Sequence, residues 1–377
     1  MRPDFQIFVV GGYVRDTLLD RDPKDLDLVI VGATVDQLMN FGSERGFDFQ
    51  QVGADFPVFL DRTGREWALA RTERKVGKGY NGFEVEFDPT VTLLDDLERR
   101  DLTVNAMARE VTSVLGTSGN MVIDEEIIDP FDGQQDLEDG ILRHVSEHFA
   151  EDPVRVLRVA RFAARYGFSV HPQTLNLIQR IADAGELDHL VPERVWAETS
   201  RALMEPMSHL FFQTLEATTA LEIIFPDLVD VTDYWFMLEG GNDIVDKCAM
   251  LAMHVKPGAS HRLFKRMKAP SEVTDFTTKF ALLVHWLATA ELTPDRIMWA
   301  LKASDAFRDK AFMPRAVDLA MGCATEIADS LITLDIALQA ASEISFNELT
   351  EDQQANLQGR EIGDAIDHLR MKAISRL

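Results

Sequence analysis

Apolar and polar positions change their period once along this chain. Through about residue 110, short apolar or alternating runs are separated by Gly, Asp and Pro: "QIFVV" (6–10), "LDLVIV" (26–31), "PVFLDR" (57–62), "EWALAR" (66–71) and "FEVEF" (83–87). Such runs predict strands. Beyond about residue 136 the period becomes helical, as in "LEDGILRHVSEHF", "DPVRVLRVARFAARYGF", "HPQTLNLIQRIADAG" and "PERVWAETSRALM", each with a cap-like start or a glycine stop. From there to Leu377 strand signals are nearly absent, and the chain shows no internal repeat and no low-complexity tract. The pattern predicts an α/β head followed by an all-helical remainder.

The first two runs bracket the densest chemistry. Gly11-Gly12 follows one run and precedes the helical "VRDTLL", so backbone amides and a helix N-terminus converge in a seat for phosphate. Arg15, one turn in, offers a planar fork for phosphate oxygens. The segment "KDLDL" (24–28) is expected to open the second strand, with Asp25 and Asp27 on one side and Leu26 and Leu28 towards the core. Two carboxylates on one edge repel each other unless a cation lies between them. Mg²⁺ is held by a few carboxylates together with substrate phosphates, and a D-x-D pair is able to hold the metals of a two-metal phosphoryl-transfer site. D-x-D also arises by chance in acidic chains. Neither the dinucleotide-binding G-x-G-x-x-G nor a P-loop is present.

Three further segments carry charge in a pattern. "RTERKVGKGYNGFE" (71–84) reads as a mobile basic loop. "LERRDLTVNAMA" (97–108) is expected to begin a helix with a charge cluster at its start. In "EDPVRVLRVARFAARYGF" (151–168), Arg155, Arg158, Arg161 and Arg165 fall within roughly 120° of one another at ~100° per residue, opposite Val156, Val159, Ala160 and Ala163. Such a stripe is either a solvated face or an anion-binding wall.

The order strand–GG–x–VRD–helix, then D-L-D–strand, resembles the nucleotidyltransferases of the polymerase-β superfamily. More narrowly it is similar to the class II tRNA nucleotidyltransferase (CCA-adding) and bacterial poly(A) polymerase group, and "EDPVR" resembles that group's E-D-x-x-R motif. The resemblance implies an α+β fold: a polymerase-β-like head with a small mixed sheet (1–138), then an all-α neck (139–205), body (206–310) and tail (311–377). It implies that Asp25 and Asp27 hold two Mg²⁺ ions, with Glu66 as a third carboxylate. Gly11, Gly12 and Arg15 would bind nucleotide, Arg100 its phosphates, and Asp101 and Asn105 its sugar. Asp152 and Arg155 would read the Watson–Crick edge of CTP or ATP, with Arg158 a neighbouring nucleotide contact. A carboxylate suits the exocyclic amino group that C and A share, and U and G present the wrong edge. The basic loop would help the enzyme pass from C to A addition. "PERVWAET" (192–199) resembles the neck motif that supports the templating helix, and "LQGREIGDAIDHLRMKAI" resembles the closing segment of bacterial members.

The activity so implied is template-independent addition and repair of the 3′-terminal CCA of tRNA from CTP and ATP, with the tRNA held along neck, body and tail. Poly(A) polymerase is the alternative, but its long basic G-R-R-F signature is missing. A CC-only enzyme typically lacks the loop present here, while A-only addition stays open. A tRNA-binding protein with an inactive head is the non-enzymatic alternative, and intact Asp25, Asp27 and Arg155 speak against it. "LAMHVKPGASHRLF" holds His254 and His261 but no His-Asp pair, so the phosphohydrolase activity of some bacterial members is not expected.

Composition changes this picture little. At 377 residues, 46% hydrophobic and 27% charged, the chain reads as a soluble globular protein of more than one domain. No apolar run approaches the ~18 residues of a membrane span, and Asp4 with the Gly-Gly segment does not suit a signal peptide. Cys248 and Cys323 form neither a disulfide framework nor a zinc spacing. A cytoplasmic protein with no evident protein partner is expected. The net charge of −25 argues at first against a nucleic-acid partner. Because the arginines cluster, the acidity is read as a property of the outer surface.

Overall fold

The computed structural model describes residues 4–23, 25–52, 58–75, 83–86, 88–115, 120–231, 241–256 and 258–377. They form two compact units, Met1–Ile224 and Phe225–Leu377.

The first unit opens with β1 (Gln6–Val10), α1 (Gly12–Leu18), β2 (Leu28–Val31), α2 (Val35–Arg45), β3 (Gln50–Val52), β4 (Val58–Leu60) and β5 (Glu66–Leu69). It continues through β6 (Thr72–Lys75), β7 (Phe83–Glu86), α3 (Leu93–Glu98), β8 (Ala108–Leu115) and β9 (Asn120–Ile123). Seven strands form one mixed sheet in the order β3-β4-β5-β2-β1-β8-β9. Within it β1 runs antiparallel to both β2 and β8, and β2 runs parallel to β5. Side chains alternate across a strand, so β1 sends Ile7 and Val9 to one face and Phe8 and Val10 to the other. The first face packs with Leu28, Ile30, Leu38, Phe41, Phe59 and Trp67; the second packs with Val29, Leu97, Ala106 and Ala108. A strand buried on both faces needs an unbroken apolar run, which is why "IFVV" and "LVIV" lack polar positions.

Three details differ from the sequence expectation. β2 begins at Leu28, so Asp25 and Asp27 lie in the chain entering the strand rather than within it, although Val10 N–H still donates to the Asp27 carbonyl at 3.1 Å. Arg99, Arg100 and Asp101 follow the end of α3 instead of starting a helix, and a 3₁₀ turn, Thr103–Asn105, comes next. The Thr92 hydroxyl accepts from the Asp95 amide in a capping box, which fixes the helix start upstream of the arginines. The paired strands β8 and β9 extend the sheet past residue 110, where no strand was expected. The arms of the basic segment, β6 and β7, pair as an antiparallel hairpin, and its tip at 76–82 lies outside the described residues.

Helices then dominate: α4 (Gly133–Asp139), α5 (Val154–Tyr166), α6 (Pro172–Asp183), α7 (Pro192–Leu203), α8 (His209–Glu216) and α9 (Ala220–Ile224). Two two-residue strands, β10 (Ile141–Leu142) and β11 (Ser169–Val170), pair in parallel on either side of α5, a small exception to the expected all-helical remainder. α5 packs on α7 and α8, burying Val156, Leu157, Val159 and Ala160 completely. It stops at Gly167, whose φ of +71° is a left-handed cap that glycine adopts without Cβ strain. The second unit is helical throughout its described residues: α10 (Ile244–Ala252), α11 (Ala259–Arg266), α12 (Ser271–Leu287), α13 (Pro294–Ala303), α14 (Phe312–Cys323), α15 (Thr325–Ser342), α16 (Glu351–Asn356) and α17 (Arg360–Ile374). No described helix is long and apolar enough to cross a membrane.

Candidate active site

The turn after β1 fixes the floor of a cleft of about 470 Å³ in the first unit. Gly11 has φ +67°, a conformation that disfavours any side chain, and a Cβ there would stand 2.8 Å from the Arg100 guanidinium and push it aside. Gly11 N–H donates to the Met107 carbonyl at 3.1 Å, pinning the turn to the chain that leads into β8. Seven arginines line the cleft, Arg15, Arg71, Arg99, Arg100, Arg155, Arg158 and Arg194, against three aspartates, Asp27, Asp101 and Asp152. In a chain of net charge −25 that excess of cations marks a site for an anion.

Asp27 stands at the cleft and Asp25 beside it, more exposed. Burial raises the Asp27 carboxyl above its ordinary value; Arg100 opposes this and Asp25 reinforces it. Glu66, the first residue of β5, is raised by burial and then by Asp27 and Asp25, so the three carboxylates feel one another. Hard oxygen donors under mutual repulsion suit a divalent cation. Among the described residues no three His, Cys, Asp or Glu side chains form a complete metal-binding set.

Asp96 organises the arginine side. It is fully buried, accepts from Arg99 at 2.7 Å and from Arg100 at 3.0 Å, and these two guanidiniums outweigh burial to hold its carboxyl below the ordinary range. Arg100 is thereby aimed, while its Nε is buried with no hydrogen-bond partner among the described residues. Arg15 is held more tightly. Its guanidinium contacts Asp16 at 2.8 Å, donates to Asn105 Oδ1, and lies over the rings of Phe162 and Tyr166 at 5.3 and 5.1 Å. The Tyr166 hydroxyl donates to Asp16 at 3.0 Å, and burial with the Asp16 charge pushes its pKa up to about 12 despite Arg15.

α5 forms the opposite wall. Its arginine stripe is not a solvated face: Arg155 and Arg161 are buried. Arg155 donates to the His148 carbonyl at 2.8 Å, Arg158 to Asp101 at 2.8 Å and Arg161 to Glu198 at 2.6 Å, while Arg165 lies 3.5 Å from Asp16. Burial alone would raise Asp101, yet Arg158, the Asn105 amide and Arg155 together hold it well below the carboxylate range. Asp152, just before the helix, accepts from Arg194 of α7 at 2.8 and 3.2 Å and from the Val154 amide at 3.1 Å.

Ten of the twelve residues singled out in the sequence line this one cleft, and Asp25 and Glu66 act on it through charge. Sequence reasoning missed Asp16, Asp96, Phe162, Tyr166 and Arg194. The Arg-Asp of "VRD" and the Arg of "PER" were visible, but not their partners.

A family model described as the poly A polymerase head domain matches residues 7–143, and one described as a probable RNA and SrmB-binding site of polymerase A matches residues 167–231. A CCA-adding enzyme of Pseudomonas putida (strain W619) is 40% identical over 98% of this chain and 97% of its own length. A multifunctional CCA protein of Haemophilus ducreyi is 41% identical over 80% of this chain and 81% of its own. One from Acinetobacter baumannii (strain SDF) is 55% identical over 59% of this chain and 51% of its own, so the match spans about half that relative's length. Among solved structures, a Bacillus stearothermophilus CCA-adding enzyme in complex with CTP superposes with a TM-score of 0.64 at 22% identity, over 99% of this chain and 89% of that one. A CCA-adding enzyme complex with ATP gives 0.66 at 18% identity, over 98% and 86%. At these identities the structural likeness is one of fold.

Proposed function

The chain belongs to the poly(A) polymerase and tRNA nucleotidyltransferase family, and from that premise we propose that it adds and repairs the 3′-terminal CCA of tRNA from CTP and ATP. The observation that carries this is the single cleft in which Asp27 and six arginines besides Arg194 face Asp152. It offers a carboxylate edge for phosphoryl transfer, cations for a triphosphate and a carboxylate for an amino group.

In this reading Asp25 and Asp27, with Glu66 beside them, hold Mg²⁺. The chemistry such ions supply when bound is activation of the primer 3′-hydroxyl and stabilisation of the leaving pyrophosphate. Gly11 shapes the turn that presents the Gly12 amide, and that amide and the Arg100 guanidinium receive the triphosphate. Arg15 shapes the phosphate seat from within its ring sandwich, since its donors already serve Asp16 and Asn105. Asn105 and Asp101 lie on the sugar side, and Arg158 fixes Asp101 in place. Asp152 accepts from the amino group common to C and A, while Arg155 donates to ring acceptors. The two-point contact with Arg194 and the Val154 amide leave one lone-pair direction of Asp152 open. The four-part division into head, neck, body and tail belongs to the same proposal, with tRNA held mainly by shape and backbone contacts.

Purified protein, tRNA lacking its last one, two or three nucleotides, and each NTP offered alone, with and without Mg²⁺, test the proposal. Incorporation of C, C and then A, dependent on the metal, is expected. Long A tails from ATP alone would make the enzyme a poly(A) polymerase, and no incorporation of any nucleotide would remove the activity altogether.

A further inference from the structure

The side-chain amide of Asn105 is engaged at both ends by the protein itself. Its Oδ1 accepts from Arg15 Nη1, and its Nδ2 donates to Asp101 Oδ1 at 2.9 Å. Beyond the sugar contact expected from the sequence, Asn105 links two other residues of the cleft. Chemistry fixes its orientation. Turned over, the amide would set donor against guanidinium and oxygen against carboxylate. A carboxylate in its place would face Asp101 with like charge. An apolar side chain would strip a hydrogen bond from two charged groups that are each less than a tenth exposed.

This link closes a circuit. Arg15 gives Nε and Nη2 to Asp16 at 2.9 and 2.8 Å, and Asp16 accepts from the Tyr166 hydroxyl of α5 at 3.0 Å. Asp101 accepts from Arg158, also of α5, at 2.8 Å. The path Tyr166–Asp16–Arg15–Asn105–Asp101–Arg158 therefore leaves α5, crosses α1 and the 3₁₀ turn, and returns to α5 about two turns away. Arg15 balances Asp16 and Arg158 balances Asp101, with Asn105 the neutral junction between the two pairs. Among the described residues Asp101 accepts from the Leu102 amide, Asn105 and Arg158. A carboxylate has about four acceptor directions, so one remains for a hydroxyl.

We propose that Asn105 is a positioning residue that ties the phosphate-side cation Arg15 to the sugar-side carboxylate Asp101, so that discrimination between ribose and deoxyribose depends on Arg15. The coupling rests on the reading above, in which Asp101 lies on the sugar side and Arg15 shapes the phosphate seat. Members of a buried hydrogen-bonded network orient and polarise one another. Without Asn105, Asp101 loses a donor on Oδ1 and its open direction is free to turn from the sugar. Without the Arg15 fork, Asn105 is no longer held against Asp101, and the same loss follows through the amide. Residues that share one network give non-additive effects, whereas residues that meet the nucleotide independently add.

The test is a double-mutant cycle in the full chain, read as the ratio of kcat/KM for CTP to that for dCTP, with Mg²⁺ and tRNA lacking its terminus. Arg15→Lys keeps the charge but lacks the fork that serves Asp16 and Asn105 together. It should lower the ratio by about threefold to tenfold, and Asn105→Ala by about tenfold. The double variant should fall no further than Asn105→Ala alone. A ratio unmoved by Arg15→Lys, with both substrates weakened equally, overturns the proposal. So do losses that multiply in the double variant, which would make Asn105 an independent sugar contact. Asn105→Ser supplies the same arm if Asn105→Ala does not fold, and Arg15→Lys alone still decides the first outcome. Titrating the same proteins with CTP and dCTP in the absence of tRNA separates this link from the activity. Coupled affinities without incorporation would remove CCA addition and leave the link standing, while incorporation with multiplying losses would remove the link alone.

Discussion

The Asp152 carboxylate lies in a two-point grip of the Arg194 guanidinium, at 2.8 and 3.2 Å, so the side chain proposed to choose the base is itself aimed by a helix forty residues further on. Replacing Asp152 by Ala removes the acceptor for the amino group of C and A. A hydrogen bond to a charged partner is worth roughly 1.5–3 kcal/mol, so discrimination against UTP and GTP should fall by about one to two orders of magnitude. Arg194→Met should give a smaller loss of the same kind, since Asp152 remains but is free to turn. The kcat/KM for all four NTPs measures both, and unchanged selectivity in Asp152→Ala would place base reading elsewhere.

Asp25→Ala and Asp27→Ala should each abolish addition of C and A together while leaving tRNA affinity within about threefold, because the carboxylate edge serves transfer rather than docking. Single-turnover incorporation alongside a filter-binding titration separates the two effects. A variant that still works near the parent rate would exclude that position from the metal site.

The β6–β7 hairpin leads to a tip at 76–82. Deleting part of the tip while keeping the paired arms should yield products that end in CC, with the final A missing. Equal loss of C and A addition would indicate a structural role for the segment instead.

Asp101 is held far below its ordinary pKa by Arg158, Asn105 and Arg155, which outweigh its burial. A depressed carboxyl stabilises the fold above its unfolded pKa, near 3.8, and that contribution is lost as pH falls through the lower folded value. The parent should therefore lose stability as pH is lowered through about 4 and below, and Asp101→Asn should show a flatter profile there. At neutral pH the variant should be less stable by about 1.5–3 kcal/mol, from the charged hydrogen bond it gives up. Denaturant midpoints across the acid range read out both.

Tyr166→Phe deletes the 3.0 Å hydrogen bond to Asp16 but keeps the ring over Arg15. It should cost about 1 kcal/mol. Tyr166→Leu also removes the cation–π face and should further raise the KM for both nucleotides by loosening Arg15. A thermal melt that separates the two variants, with identical KM values, would confine Tyr166 to folding.

The parts of the site legible in the sequence are those that local chemistry constrains. Gly11 announces a turn, Asp25 and Asp27 a paired edge, and the spacing from Arg155 to Arg165 a single helix face. The rest depends on residues far apart in the chain. Nothing around Arg99 says that Asp96, three positions earlier, will be buried and turn both arginines inward. "LTVNAMA" is apolar enough for helix or strand, yet it folds as the 3₁₀ turn Thr103–Asn105 that leads into β8 at Ala108. Arg161 and Arg165 read like their neighbours, yet they are bound to Glu198 and Asp16, 37 and 149 positions away.

Those separations bear on the order in which the protein becomes competent as it is made. The carboxylates of the β2 entry are complete within the first 70 residues. Arg158 meets Asp101 across 57 positions, Arg194 meets Asp152 across 42, and Tyr166 meets Asp16 across 150. Domains fold largely as units while the chain emerges, so a nascent chain ending before α7 would carry the transfer edge without the grip on Asp152. In the proposed reading, the grip that aims the base-choosing carboxylate is therefore completed later in synthesis than the edge that holds the metals.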